Sequence, residues 1–226
     1  NVDRLLKSPA SQRGRDFAVM LKSLDELGYA VEWRVINAAE YGMPQRRRRV
    51  FFIGYHKSTQ AYKNLTKTGK DKWLGSEGVI AKAFPVQSDF KLSDTIPLEG
   101  DLVDITDQFN LSGKLSPFLN TGLMVNGQVY TAKTISYYIG QHKTLGDILQ
   151  KEEVPAEFYI SPMDLPKWNY LKGAKKEVRK TAAGFEYNYA EGGMIFPDAL
   201  DNASRTIITG EGGKSASRFK HVVETP

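Results

Sequence analysis

The sequence of 226 residues contains no cysteine. That removes disulfides, thiolate metal sites and any cysteine nucleophile from it. Histidine is almost as scarce: His56, His142 and His221 are far apart, too few and too scattered for a histidine-built zinc site. Long apolar runs are absent too. The most apolar helical stretch, around Phe17 to Leu27, is broken by Lys22, Ser23, Asp25 and Glu26, and no run approaches the ~18 residues of a membrane span. The first twenty residues lack the apolar core of a signal peptide, so neither a membrane partner nor export is expected. Asn1 stands where a methionine would begin a gene product, so the sequence is expected to be a piece of something longer.

What is present is ordinary for a globular chain: 41% hydrophobic and 25% charged residues. Net charge is +5, a modest lean toward polyanions. The excess is local. Residues 1–56 carry ten basic side chains against six acidic ones, while 144–226 carry eleven against twelve. Two clusters stand out, the run Arg46, Arg47, Arg48, Arg49 and the set Lys172, Lys175, Lys176, Arg179, Lys180 around Glu177.

The apolar spacing of Phe17, Met20, Leu21, Leu24 and Leu27 predicts a helix over 11–27, stopped by Gly28. Tyr29–Ile36 and Arg49–Tyr55 read as strands joined by the turn-like Asn37–Gln45, the second apolar on both faces and so expected to be a buried sheet strand. Residues 57–90 show only patchy apolar signal and read as a surface excursion or linker. Asn126-Gly127 between alternating apolar residues predicts a tight hairpin. Thr144–Gln150 reads as a short capped helix, Lys167–Lys180 as a polar basic stretch, and Ser204–Thr209 as a short β-rich run. The fold class expected is α/β: a partial Rossmann-like sheet over 1–92 and a small mixed, strand-rich domain over 93–226.

Four arginines in succession present guanidinium forks suited to phosphate. If the strand has begun by Arg47, Arg47 and Arg49 share one face and Arg46 and Arg48 the other; the plain alternative is a solvated basic strand end. The segment Gly210–Ser215 ends like a phosphate-binding loop in Gly213-Lys214-Ser215, but Ile208 stands where the first glycine belongs and no helix-forming segment follows. A loop moulded to DNA uses those glycines better, with Lys214, Arg218 and Lys220 beside them; a plain flexible loop is the alternative. The pairs Glu152-Glu153 and Asp25-Glu26 read as solvated carboxylates rather than acid–base catalysts.

The stretch Asn37–Gly54 resembles the DNA cytosine-5 methyltransferases, in which a Gln-x-Arg-x-Arg motif follows an Asn-Ala…Tyr-Gly-x-Pro turn and enters a sheet strand. Its matching positions are Gln45, Arg47 and Arg49. Asn1-Val2 is similar to the end of the family's Glu-Asn-Val motif, and Ser204–Gly213 to the second DNA-recognition loop, with Thr206 and the pair Gly212, Gly213 in matching places. The resemblance implies that the target cytosine is swung out of the duplex, attacked by a cysteine and methylated from S-adenosylmethionine. It gives Arg47 and Arg49, with Gln45, to the flipped nucleotide. Duplex DNA is the implied partner, met by Arg46, Arg48, Lys175, Lys176, Arg179, Gly192, Gly193, Lys214, Ser215, Arg218 and Lys220, with bases read by loops near 190–194 and 206–220.

The nucleophilic cysteine and the glycine-rich cofactor turn are missing from these residues. The expectation is therefore a part of the enzyme that is inactive alone, binds no cofactor or metal itself, and self-associates where its missing N-terminal neighbours are bared. The alternatives are a non-catalytic DNA-binding protein or one chain of a split methyltransferase. A bacterial cytoplasmic, nucleoid-associated setting with a restriction partner is a family-level expectation only.

Overall fold

The structure is a computed structural model that describes residues 3–93, 95–211 and 215–226. It divides into two compact units, 1–42 with 47–141, and 43–46 with 142–226. Gly212, Gly213 and Lys214 lie outside the described residues, as do Asn1 and Val2.

The first unit is built on five strands: β1 (Tyr29–Asn37), β2 (Arg48–His56), β3 (Ile96–Pro97), β4 (Thr121–Val125) and β5 (Gln128–Ala132), in the order β2-β1-β4-β5-β3. Every pairing is antiparallel. The sheet expected from sequence is present, but nothing parallel or Rossmann-like is seen in it. The hairpin at Asn126-Gly127 forms as its sequence demands, both residues adopting positive φ (50° and 68°). The carboxylate of Asp25 accepts the Gly127 N–H at 2.9 Å and ties the turn to the first helix.

That helix, α1 (Arg15–Glu26), lays Phe17, Ala18 and Leu21 on one sheet face. Phe17 meets Trp33 edge-on with centroids 5.2 Å apart, and Phe118 completes the trio. Gly122 sits opposite Trp33 in register, and a β-carbon there would fall 2.1 Å from the indole, so only glycine lets the ring lie across β4. A short helix α5 (Leu102–Gln108), closed by an Asp101–Asp104 capping box, packs on α1 through Ile105.

The opposite face corrects the linker expectation for residues 57–90. They form α2 (Gln60–Lys67), α3 (Lys70–Lys72) continuing into a π-helical turn (Trp73–Glu77), and α4 (Val79–Ala83). Leu65, Trp73 and Leu74 from this layer bury against Ala30, Tyr55 and Leu123 of the sheet. The segment has few apolar residues and the π turn breaks their spacing, so no helical period was visible; Leu65, Trp73, Leu74 and Ile80 are nevertheless buried, while Val79 stays exposed. Because β3, β4 and β5 complete this sheet, the first unit extends to residue 141 rather than ending near 92.

The second unit contains α6 (Leu165–Lys172) and a two-stranded ribbon, β6 (Lys175–Lys180) with β7 (Glu186–Glu191), among short 3₁₀ turns and loops. The basic stretch Lys167–Lys180 is thus a helix followed by a strand. Ser204–Thr209 forms no strand, only a single bridge at Ser204. Among the described residues no helix is long and apolar enough to cross a membrane.

Candidate nucleic-acid interface

In the first unit β2 begins at Arg48, so alternation places Arg48 on the α1 side with Val50 and Arg49 toward the face of Phe51, Ile53 and Tyr55, while Arg47 is exposed just before the strand. Arg49, half-buried, donates to the Arg48 carbonyl at 2.7 Å and makes no ion pair among the described residues. Arg48 is exposed and lies 3.4 Å from Asp3. It opens on a cleft of about 530 Å³ that also gathers Lys7, Arg13, Lys114 and Lys133 around an apolar floor of Leu6 and Phe118. Five cations and one carboxylate leave a strong positive excess there. Four of those cations come from separate segments, none with a motif, so no spacing in the sequence announces them.

Glu32 and Arg34, two apart on β1, are both buried on the Arg49 face. Glu32 accepts from Tyr55 Oη at 2.7 Å and Trp73 Nε1 at 3.1 Å. Burial pushes its carboxyl above the usual range despite these bonds and the nearby guanidinium. Arg34 donates to the carbonyls of Leu74 and of Phe84 (2.6 Å), pinning the helical layer to the sheet.

In the second unit, residues 43–46 pair with the segment around Ser204. The Ser204 N–H donates to Pro44 O and the Arg46 N–H to Ser204 O, both at 2.8 Å, and Thr206 Oγ1 donates to Arg46 O at 2.6 Å. Gln45 and Ser204 form a parallel bridge. Two segments singled out independently in the sequence, 160 residues apart, are thereby joined. Because β2 begins only at Arg48, the condition under which Arg47 and Arg49 would share one strand face and Arg46 and Arg48 the other is not met.

Three of the basic residues expected at DNA are committed internally. Lys175, its side chain 6% exposed, pairs with Glu191 at 3.1 Å and donates to Leu171 O. Arg218 pairs with Glu191 at 2.9 Å and donates to Leu171 O at 2.8 Å and to Gly192 O. Lys220 is buried and donates to Ser215 O at 2.6 Å. These are framework groups, because their charge is already spent on carbonyls and a carboxylate. Lys176, Lys180 and Ser215 are exposed, and Arg179 stacks over the Tyr189 ring at 3.5 Å while pairing with Glu177. Gly192 faces open space and Gly193 meets only Ala174 at ordinary contact distance, so packing does not require glycine at either.

The same framework holds Lys172, 1% exposed, which donates to the Lys220 carbonyl beside the Trp168 ring. Burial, helped by Arg205, lowers its ammonium to about 8 from 10.5. A base with a depressed folded value binds fewer protons than the unfolded chain between those limits, so stability rises with pH across that window. Urea midpoints of the parent are expected to climb from pH 8 to 10, and those of Lys172→Met to stay flatter; equal slopes would reject the assignment. A second cleft, about 800 Å³, is rimmed by Glu152, Glu157, Asp164, Glu211 and Glu224, a charge that disfavours phosphate. Among the described residues no cluster of acids and histidines could hold a metal ion.

A family model described as C-5 cytosine-specific DNA methylase matches residues 1–218. The chain is 45% identical over 98% of its length to the type II methyltransferase M.Sau3AI of Staphylococcus aureus, and covers 52% of that protein. It is 44% identical over 23% of its length to M.NlaIV of Neisseria lactamica, 12% of that protein, and 48% identical over 18% to M.MthTI of Methanothermobacter thermautotrophicus, again 12% of it. The chain thus spans about half the length of the most extensive of these matches. No solved structure matches it.

Proposed function

The chain belongs to the C-5 cytosine-specific DNA methylase family, and from that premise we propose that it is the part of such an enzyme that grips duplex DNA, reads its sequence and holds the flipped cytosine. The observation that carries the reading is the joining of Gln45 and Arg46 to Ser204 and Thr206. It ties the segment that introduces Arg47 and Arg49 to the segment that resembles the family's second DNA-recognition loop.

Each unit has a task in this reading. Arg47 grips the flipped nucleotide and its phosphate, and Arg49 reaches the ring carbonyl oxygen, where a guanidinium stabilises charge that develops during attack. Gln45 serves the same nucleotide, and Arg46 the flanking backbone. The cationic cleft at Arg48 takes phosphate by charge alone, fixing position without reading sequence. Phe51 and Phe52 are 49% and 43% exposed on β2, whose outer edge is unpaired among the described residues. The rest of the catalytic domain covers them, and without it the edge favours self-association.

The methyl donor of the family, S-adenosylmethionine, does not fit the clefts described. Its sulfonium would meet five cations in the first unit, and among the described residues no glycine turn or ribose-binding carboxylate follows a strand at either cleft. The chain lacks a thiol, so attack on the base also relies on a residue outside it. The chain alone is therefore expected to bind a labelled duplex with an affinity that falls steeply with salt, and to transfer no methyl group. Methyl transfer by the 226 residues alone would overturn this division of labour. Within the whole enzyme, Thr206→Val removes the bond to Arg46 O, costing about 1 kcal/mol of alignment. We expect turnover to fall by about fivefold with the chain still folded; parental turnover would deny Thr206 that positioning role.

A further inference from the structure

We propose that the outer face of the β6–β7 ribbon enters the major groove and reads base edges, with Lys176 and Asn188 as the specificity-determining side chains. The inference rests on the DNA-binding reading above and deepens it, moving base readout from the loops near 190–194 and 206–220 onto the strands of the ribbon.

The two faces of the ribbon differ in kind. Register puts Glu191 opposite Lys175, Tyr189 opposite Glu177 and Tyr187 opposite Arg179. This inner face is anchored: Lys175 and Arg218 clamp Glu191, Lys175 stands over Tyr170, and Arg179 covers Tyr189. The outer face carries Lys176, Val178, Lys180, Glu186, Asn188 and Ala190, all exposed. Lys180 and Glu186 pair at 3.2 Å, whereas the Lys176 ammonium and the Asn188 amide have no partner among the described residues. An isolated two-stranded ribbon is marginal in water, and this one gains no core from that face. Val178 is nevertheless 61% exposed there, and Phe185 at the turn 74%.

Size and chemistry point to one occupant. Six residues per strand span about 20 Å, and two strands lie about 4.8 Å apart. The major groove is about 12 Å wide and admits a two-stranded ribbon. Lysine donates to guanine O6 and N7, asparagine pairs with the adenine edge, and a small apolar side chain packs on the thymine methyl. Lys176, and Asn188 opposite Val178, provide that set on one surface. A phosphate-gripping face would need only cations, and an amide facing an aliphatic side chain adds nothing to it.

The test uses the full-length enzyme. Its site is first mapped by sequencing methylated plasmid DNA, and methylation is then measured on the cognate duplex and on duplexes changed one base pair at a time. Asn188→Ala and Lys176→Ala are expected each to reduce discrimination at one base pair by about tenfold or more while the salt slope of binding stays unchanged. Both side chains are exposed, so folding is not at stake. A uniform loss across all duplexes with the salt slope smaller by about one marks a phosphate contact and overturns the proposal, as does parental discrimination in both variants. If the parent enzyme itself fails to methylate cytosine in duplex DNA, the underlying DNA reading fails instead.

Discussion

Replacing Arg47 or Arg49 by alanine in the whole enzyme lowers the single-turnover rate of methyl transfer by about two to three orders of magnitude, while duplex affinity moves by less than about tenfold. The asymmetry follows from where the charge is needed. Cations that hold phosphate contribute to binding before and during reaction alike, and their loss shows in affinity and salt slope. A guanidinium set against the ring carbonyl matters most when charge builds on the ring, so its loss appears in turnover. Arg49 is suited to this because the sheet fixes its backbone opposite Ile36 and it forms no ion pair among the described residues. Equal losses in affinity and rate would make both arginines ordinary backbone contacts. Arg48→Ala is the contrast: it sits at the exposed mouth of the cationic cleft, and the same logic assigns its effect to affinity.

The second large effect is on stability. Arg34→Leu removes the donor to the Leu74 and Phe84 carbonyls and leaves Glu32 buried without its cation. Each carbonyl left without its donor costs about 1–3 kcal/mol, and Glu32 loses the nearby positive charge as well. The urea midpoint should fall accordingly, and adding Glu32→Gln should recover part of the loss, because the amide is neutral and still accepts from Tyr55 or Trp73. A loss that Glu32→Gln does not relieve would deny the coupling. The pH dependence has a definite sign. Glu32 is raised in the folded state above 4.5, so its contribution is complete below that value and is lost as pH rises through the folded one. Glu32→Gln alone should flatten this decline.

Local patterns carried their information faithfully. The amphipathic spacing of Phe17 to Leu27 gave α1, the β-branched run from Tyr29 gave β1, and Asn126-Gly127 gave the hairpin, since in each the signal lies within a few residues. The helical layer over residues 57–83 was illegible because three or four buried side chains, not a period, hold it down. Interface chemistry divided the same way. Gln45, Arg47 and Arg49 stood out as a contiguous motif, whereas the cleft at Arg48 is assembled from segments as distant as Lys7 and Lys133. Conversely, Lys175, Arg218 and Lys220 looked available in sequence and are occupied in the fold. A basic residue announces its charge; only the structure shows whether Glu191 or a carbonyl has already taken it.

The most direct test places 2-aminopurine at the target cytosine's position in a duplex and records its fluorescence with the full-length protein at saturation. With the parent, emission should rise strongly as the base leaves the stack; with Arg47→Ala at equal occupancy it should rise far less. Parental emission in that variant, or no rise with the parent itself, would contradict the claim that this chain holds an everted nucleotide.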